Sequence, residues 1–149
     1  MYADYLIDVG ESIFKATWML YRNGRILIAV KDGYFYGVIT FKEINRTFVD
    51  SSLLLSDICN RSCKYIYEDG KYEKAGYIFA NHPEIRDIPV LDKENKFVEL
   101  LSRERVLWER YYRENRLPRM HYAYCMYNAA FEARELGYKE TSVIEFGVA

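Results

Sequence analysis

The stretch that decides the fold is Ile28-Ala29-Val30-Lys31-Asp32-Gly33, followed by Tyr36-Gly37-Val38-Ile39-Thr40-Phe41-Lys42-Glu43-Ile44. It is answered later by Ile88-Pro89-Val90-Leu91-Asp92-Lys93 and by Phe97-Val98-Glu99-Leu100-Leu101-Ser102-Arg103-Glu104-Arg105-Val106. Each copy reads as a strand, a tight turn, a second strand and a hydroxyl residue that opens a helix. A duplicated unit of this size places two small modules face to face across a cleft. That cleft is the first place to look for function.

Outward from the first copy, Arg25 to Val30 is apolar after its first residue, which predicts a strand covered on both faces. Asp32-Gly33 supplies the left-handed positions of a hairpin turn. Thr40 with Glu43 three residues on has the capping-box spacing. Upstream, Leu6 to Val9 reads as a short edge strand, and Glu11 to Arg22 has helical periodicity closed by Asn23-Gly24. In the second copy Leu53 to Arg61 reads as a linking helix, Tyr65 to Tyr67 as the short strand and Glu73 to Ala80 as the helix. Lys74-Ala75 stands where Lys15-Ala16 stands in the first copy. Ser102 then caps a helix running toward Asn115, and Pro118 closes the section.

A chain of 149 residues, half of it hydrophobic and 17% aromatic, can bury a core. Many of the aromatics are Tyr, 15 in all, which suit boundaries between dry and wet surfaces. A net charge of −1 gives no global attraction to nucleic acid or acidic membranes. No apolar run approaches the roughly 20 residues of a membrane helix, and the N-terminus lacks the basic start of a secretory signal. The three cysteines, Cys59, Cys63 and Cys125, are odd in number, which fits reduced thiols and a cytoplasmic location. Cys59 and Cys63 are spaced for neighbouring helical turns with no His nearby, so no metal-ligand set is visible. His82 and His121 are isolated, and no catalytic grouping is apparent. Arg103, Arg105, Arg110, Arg113, Arg116 and Arg119 interleave with Trp108, Tyr111 and Tyr112, a pattern that can bind single strands. Glu104, Glu109 and Glu114 interrupt it, and i,i+4 ion pairs on a solvated helix are the simpler account.

The duplicated pattern resembles a tandem pair of CBS domains, the Bateman module. The carrying residues are Ile88-Pro89-Val90-Leu91-Asp92 and Gly37 to Ile44, and the resemblance spans about residues 4 to 110. It implies an α+β fold with a βαββα unit in each half, the two sheets packed pseudo-symmetrically and a ligand cleft between them. The corresponding boundaries are 1–50 and 51–117 for the repeats and 118–149 for a linker helix and a following strand. The resemblance also implies an adenosine-containing regulatory ligand such as AMP, ATP or S-adenosylmethionine, with no cofactor required and no chemistry in this chain. Thr40 and Glu43 in the first half, and Ser102 and Arg105 in the second, take the positions that hold phosphate and ribose. Backbone near Ile7 and Ile28, and near Tyr67 and Ile88, would flank the base. Glu43 stands where the family has Asp. Arg105 cannot accept hydrogen bonds from ribose hydroxyls, so one competent site is expected, with Arg103 or Arg105 meeting the phosphates of a ligand held by the first half. A homodimer is the expected assembly, and a ligand-free dimerisation module is the alternative function.

The tail differs from the repeats. His121 to Leu136 reads as a helix closed by Gly137, with Tyr122, Tyr124 and Tyr127 as core or interface. Val143-Ile144-Glu145-Phe146-Gly147 resembles the first strand and glycine of a class I S-adenosylmethionine-dependent methyltransferase, which implies a fragment of a longer enzyme.

Overall fold

The computed structural model describes residues 3–48, 52–116, 119–138, 140 and 142. Two units are distinct, residues 1–106 and residues 107–149.

The first unit holds both repeats. Strand β1 (Leu6–Asp8), helix α1 (Ile13–Asn23), β2 (Leu27–Lys31), β3 (Tyr34–Ile39) and α2 (Phe41–Ile44) form the first. The short helix α3 (Leu55–Ile58) leads to β4 (Ile66–Tyr67), α4 (Lys71–Asn81), β5 (Asp87–Leu91), β6 (Phe97–Ser102) and α5 (Arg103–Arg113). The sheet orders are β1-β2-β3 and β4-β5-β6, parallel in the first pairing and antiparallel in the second. The expected α+β pair of βαββα repeats is therefore the observed fold.

Local chemistry explains the element ends. Ser12 Oγ accepts from Lys15 N to start α1, and Gly24 at φ 67° ends it in the left-handed conformation. Asp32 and Gly33, at φ 54° and 82°, make the hairpin turn between β2 and β3. Ala16 and Ala75, both fully buried, let α1 and α4 lie close on their sheets. Strand β2 is covered on both faces: Leu27 and Ala29 face the helices with Leu20, Ile39 and Ile58, while Ile28 meets Val38, Phe97 and Leu100 between the sheets. The second repeat has its own core of Ile66, Phe79, Ile88, Val90, Leu101 and Val106. Each fully buried aliphatic side chain stabilises the fold by about 1.5–3 kcal/mol.

Three expectations are corrected. The linking helix predicted over Leu53–Arg61 is confined to Leu55–Ile58. Beyond it Cys59 turns extended (φ −55°, ψ 131°), because Asn60 pairs its backbone with Val38 of β3 through bonds of 3.1 and 2.9 Å. Cys59 and Cys63 consequently do not share a helix. The helix predicted over Glu73–Ala80 starts earlier, at Lys71, behind a left-handed Gly70.

In the second unit, Trp108 of α5 stacks on Tyr127 of α6 (Met120–Glu135) with centroids 4.3 Å apart, and Tyr112 meets Tyr124 at 4.8 Å. Gly137, at φ 85°, follows the helix. Arg110 bonds Glu114 at 2.8 Å, the i,i+4 pairing expected of a solvated helix. The strand and glycine of the methyltransferase resemblance, Val143–Gly147, lie outside the described residues.

Candidate functional site

A cleft of about 640 Å³ opens between the repeats of the first unit. Its first-repeat wall comes from the α1–β2 loop (Gly24, Arg25, Ile26) and the end of β3 (Val38, Thr40, Lys42, Glu43). Its second-repeat wall comes from Asn60, Ser62, Cys63 and Lys64, from His82 and Glu84 to Asp87 between α4 and the start of β5, and from Pro89 and Glu104. Ile26, Val38, Ile85 and Pro89 give it apolar faces suited to a flat ring, while Asn60, Ser62 and the charged residues give it polar anchors. The volume lies within the ordinary range for small-molecule sites.

Each wall is held by backbone-directed contacts. Asn23 Nδ2 donates to Ile26 O, and Asn23 Oδ1 accepts from Arg25 N at 3.0 Å. Asn60 Oδ1 accepts from Ser62 N at 3.0 Å, next to the Val38–Asn60 bridge. Arg103 donates to the carbonyls of His82 and Ile85 at 2.8 and 2.7 Å and lies over the Phe79 ring. The guanidinium proposed for phosphate thus holds the α4–β5 loop in place.

Thr40 and Glu43 line the cleft. Glu43 Oε2 accepts from Thr40 N at 2.9 Å and from its hydroxyl at 2.5 Å, and Thr40 Oγ1 accepts from Lys42 N. The capping box is therefore real, and the carboxylate is buried at 7% exposure. Burial pushes the Cys63 thiol of the cleft up to about 11, with the Glu43 charge adding to the rise. Burial pushes Cys59 up to about 12, reinforced by Cys63 and then Glu43. Both thiols are protonated at neutral pH, the inert state of a buried structural cysteine.

The other predicted positions lie elsewhere. Ile7 is in the core under α1, Ile88 in the second-repeat core and Ile28 between the sheets. Tyr67 is 41% exposed and donates to Asn95 Oδ1. Ser102 is buried and caps α5 by accepting from Arg105 N at 3.2 Å. Arg105 lies 3.8 Å from Glu99, a buried carboxylate that also pairs with Lys71. None of these six lines the cleft.

Sequence reasoning missed Arg25, Arg86 and Asp87. Arg25 Nη2 lies 3.1 Å from Asp87 Oδ1, joining the two repeats across the cleft. The available signal was positional: Arg25 stands just ahead of β2 and Asp87 opens β5, at the helix-to-strand junction of each repeat.

Among proteins of known kind, residues 55–111 match the CBS domain family. A homoserine O-acetyltransferase of Methanosarcina acetivorans is 26% identical over 104 residues, which cover 68% of this chain and 19% of that protein. The chain thus spans about a fifth of the length of this curated relative. Among solved structures, CBSX2 in complex with AMP superposes with a TM-score of 0.59 at 16% identity, covering 70% of this chain and 84% of that one. The CBS domain pair of protein MJ0100, in complex with 5′-methylthioadenosine and S-adenosyl-L-methionine, gives 0.58 at 20% identity, covering 69% and 84%. The match to the CBS domain family is confined to residues 55–111, and the fold is that of solved CBS-domain pairs.

Proposed function

We propose that the chain is a regulatory module that binds an adenosine-containing ligand in the cleft between its repeats. The observation that carries this reading is the meeting of Thr40 and Glu43 with the apolar faces of Ile26, Val38, Ile85 and Pro89 in one cleft of nucleoside size. The adenine ring lies between the apolar faces. Glu43, fixed through Oε2, accepts ribose hydroxyls through its other oxygen. AMP and S-adenosyl-L-methionine in the two solved CBS proteins support the same ligand class. Ligand binding shifts an equilibrium between arrangements of the two repeats, since it contacts both. A thermal-shift screen against AMP, ATP, S-adenosylmethionine and adenosine tests this. A ligand at about a hundred times its dissociation constant stabilises the fold by about 2.7 kcal/mol. No shift with any of them on folded protein would refute the reading.

A second reading, a dimerisation module, is favoured by one observation. Phe14, Trp18 and Tyr21 form a stripe on α1 with exposures of 81, 51 and 83%. Aromatic side chains bury about 150–250 Å² each, so six of them meeting between two copies cover about 1,000 Å², near what a specific interface needs. Sedimentation of wild type and Trp18→Glu tests it, a dimer lost in the variant being the supporting result and a monomeric wild type the refuting one.

A further inference from the structure

The cleft has an uneven distribution of charge. Among the described lining residues the cations are Arg25, Lys42, Lys64 and Arg86, against the carboxylates Glu43, Glu84, Asp87 and Glu104. Four cations against four carboxylates leave no net attraction for a polyphosphate. Lys42, Lys64 and Arg86 are exposed, so their fields are screened by water and salt. Arg25 is the partly buried cation, its side chain 28% exposed, and its guanidinium faces Asp87, whose side chain is 8% exposed. Both partners are fixed from behind. Asn23 holds the Arg25 backbone, and Asp87 is the first residue of β5, in register with Ser102 of β6.

We infer that Asp87 is a specificity-determining residue of this cleft: by holding Arg25 it makes the interior poor for phosphate and selects uncharged or cationic adenosyl compounds over nucleoside polyphosphates. The inference rests on the nucleoside reading of the cleft for its ligand class. The physical basis is competition. A guanidinium bonds well to phosphate oxygens when it is free to turn toward them. Here a phosphate must first displace a buried carboxylate, which would be left charged and poorly solvated. Among the described lining residues the other well-buried charge, Glu43, repels phosphate and favours hydroxyl donors or a cation.

Asp87 acts through Arg25, so the test reads charge selectivity rather than affinity alone. Calorimetric titration of the whole chain with adenosine, AMP and ATP compares wild type, Asp87→Asn, Arg25→Gln and the double variant. Wild type binds adenosine at least as tightly as ATP. Asp87→Asn raises the ATP-to-adenosine affinity ratio by at least about tenfold, as one added charge-assisted bond does. The double variant returns the ratio to that of wild type. A wild type that binds ATP more tightly than adenosine, or an unchanged ratio in folded Asp87→Asn, overturns the inference. Pyrophosphate alone provides an arm independent of any nucleoside. It should shift the Arg25 Nε–H resonance in Asp87→Asn and leave it in place in wild type. An equal shift in both overturns the inference. If no adenosyl compound binds while the pyrophosphate arm behaves as expected, it is the nucleoside reading that fails.

Discussion

Gly37→Ala is the substitution most sharply constrained by the structure. A Cβ at Gly37 would lie 2.6 Å from Asn60 O and 2.6 Å from Cys59 Sγ. The first neighbour is backbone and cannot rotate away. Ordinary contact begins at 3.4 Å, so the Cys59–Asn60 segment must retreat by roughly 0.8 Å. The Val38–Asn60 bonds, now 3.1 and 2.9 Å, then exceed hydrogen-bonding distance. Two lost bonds cost about 0.5–1.5 kcal/mol each, and residual crowding falls within the roughly 1–3 kcal/mol range for overpacking. Because the retreat relieves some of that crowding, the expected total is about 2–4 kcal/mol. For a unit of this size that lowers the melting midpoint by roughly 8–16 °C. Since Asn60, Ser62, Cys63 and Lys64 line one wall of the cleft, ligand affinity should fall as well. Gly33→Ala is the control: Gly33 has φ +82° and nothing within 4 Å, so only backbone strain of about 1 kcal/mol applies. Urea unfolding of both variants decides the matter. A Gly37→Ala protein within about 0.5 kcal/mol of wild type would refute the close-approach argument.

Further predictions follow from the same contacts. Glu43→Gln keeps a side chain able to close the capping box, so stability should change by less than about 1 kcal/mol while adenosine affinity falls about tenfold; unchanged affinity in calorimetry would remove Glu43 from the site. Stability should decline above pH 9. Cys59 and Cys63 have folded pKa values raised from 9.0 to about 12 and about 11, so unfolded thiols ionise first and their contribution is lost as pH rises through that window. Urea unfolding at pH 8 and pH 10.5 measures it, and Cys59→Ser/Cys63→Ser should flatten the slope. Iodoacetamide at pH 8 should label exposed Cys125 well before the other two, as peptide mapping would show. Glu99→Ala leaves Lys71 and Arg105 facing each other without their carboxylate and should cost about 2–3 kcal/mol in urea unfolding.

What the sequence made legible was local or repeated. Asp32-Gly33 announced the hairpin because its left-handed positions are a short-range requirement, and the Thr40–Glu43 box because its spacing is set by one helical turn. Ala16 and Ala75 were visible as equivalents through the repeat itself. The end of α3 was hidden, since Cys59 leaves helical geometry to let Asn60 pair with Val38, a partner more than twenty residues away in sequence. The roles of Arg103 and Arg105 were hidden as well. Charge suggested phosphate, whereas the distant carbonyls of His82 and Ile85 engage Arg103, and Arg105 faces the nearer Glu99 carboxylate across the turn from β6 to α5. Arg25 lies in the helix-to-strand turn of its repeat and Asp87 opens β5, positions without a periodic signature, and only the fold brings them together.

The most direct test of the account is an NMR measurement of intermolecular NOEs between a saturating adenosyl ligand and the methyl-labelled chain. The account predicts contacts from the adenine protons to the methyl groups of Ile26, Val38 and Ile85, with the ribose protons near Thr40. Contacts confined to residues 107–138, or saturation binding with none to those three methyl-bearing residues, would contradict it.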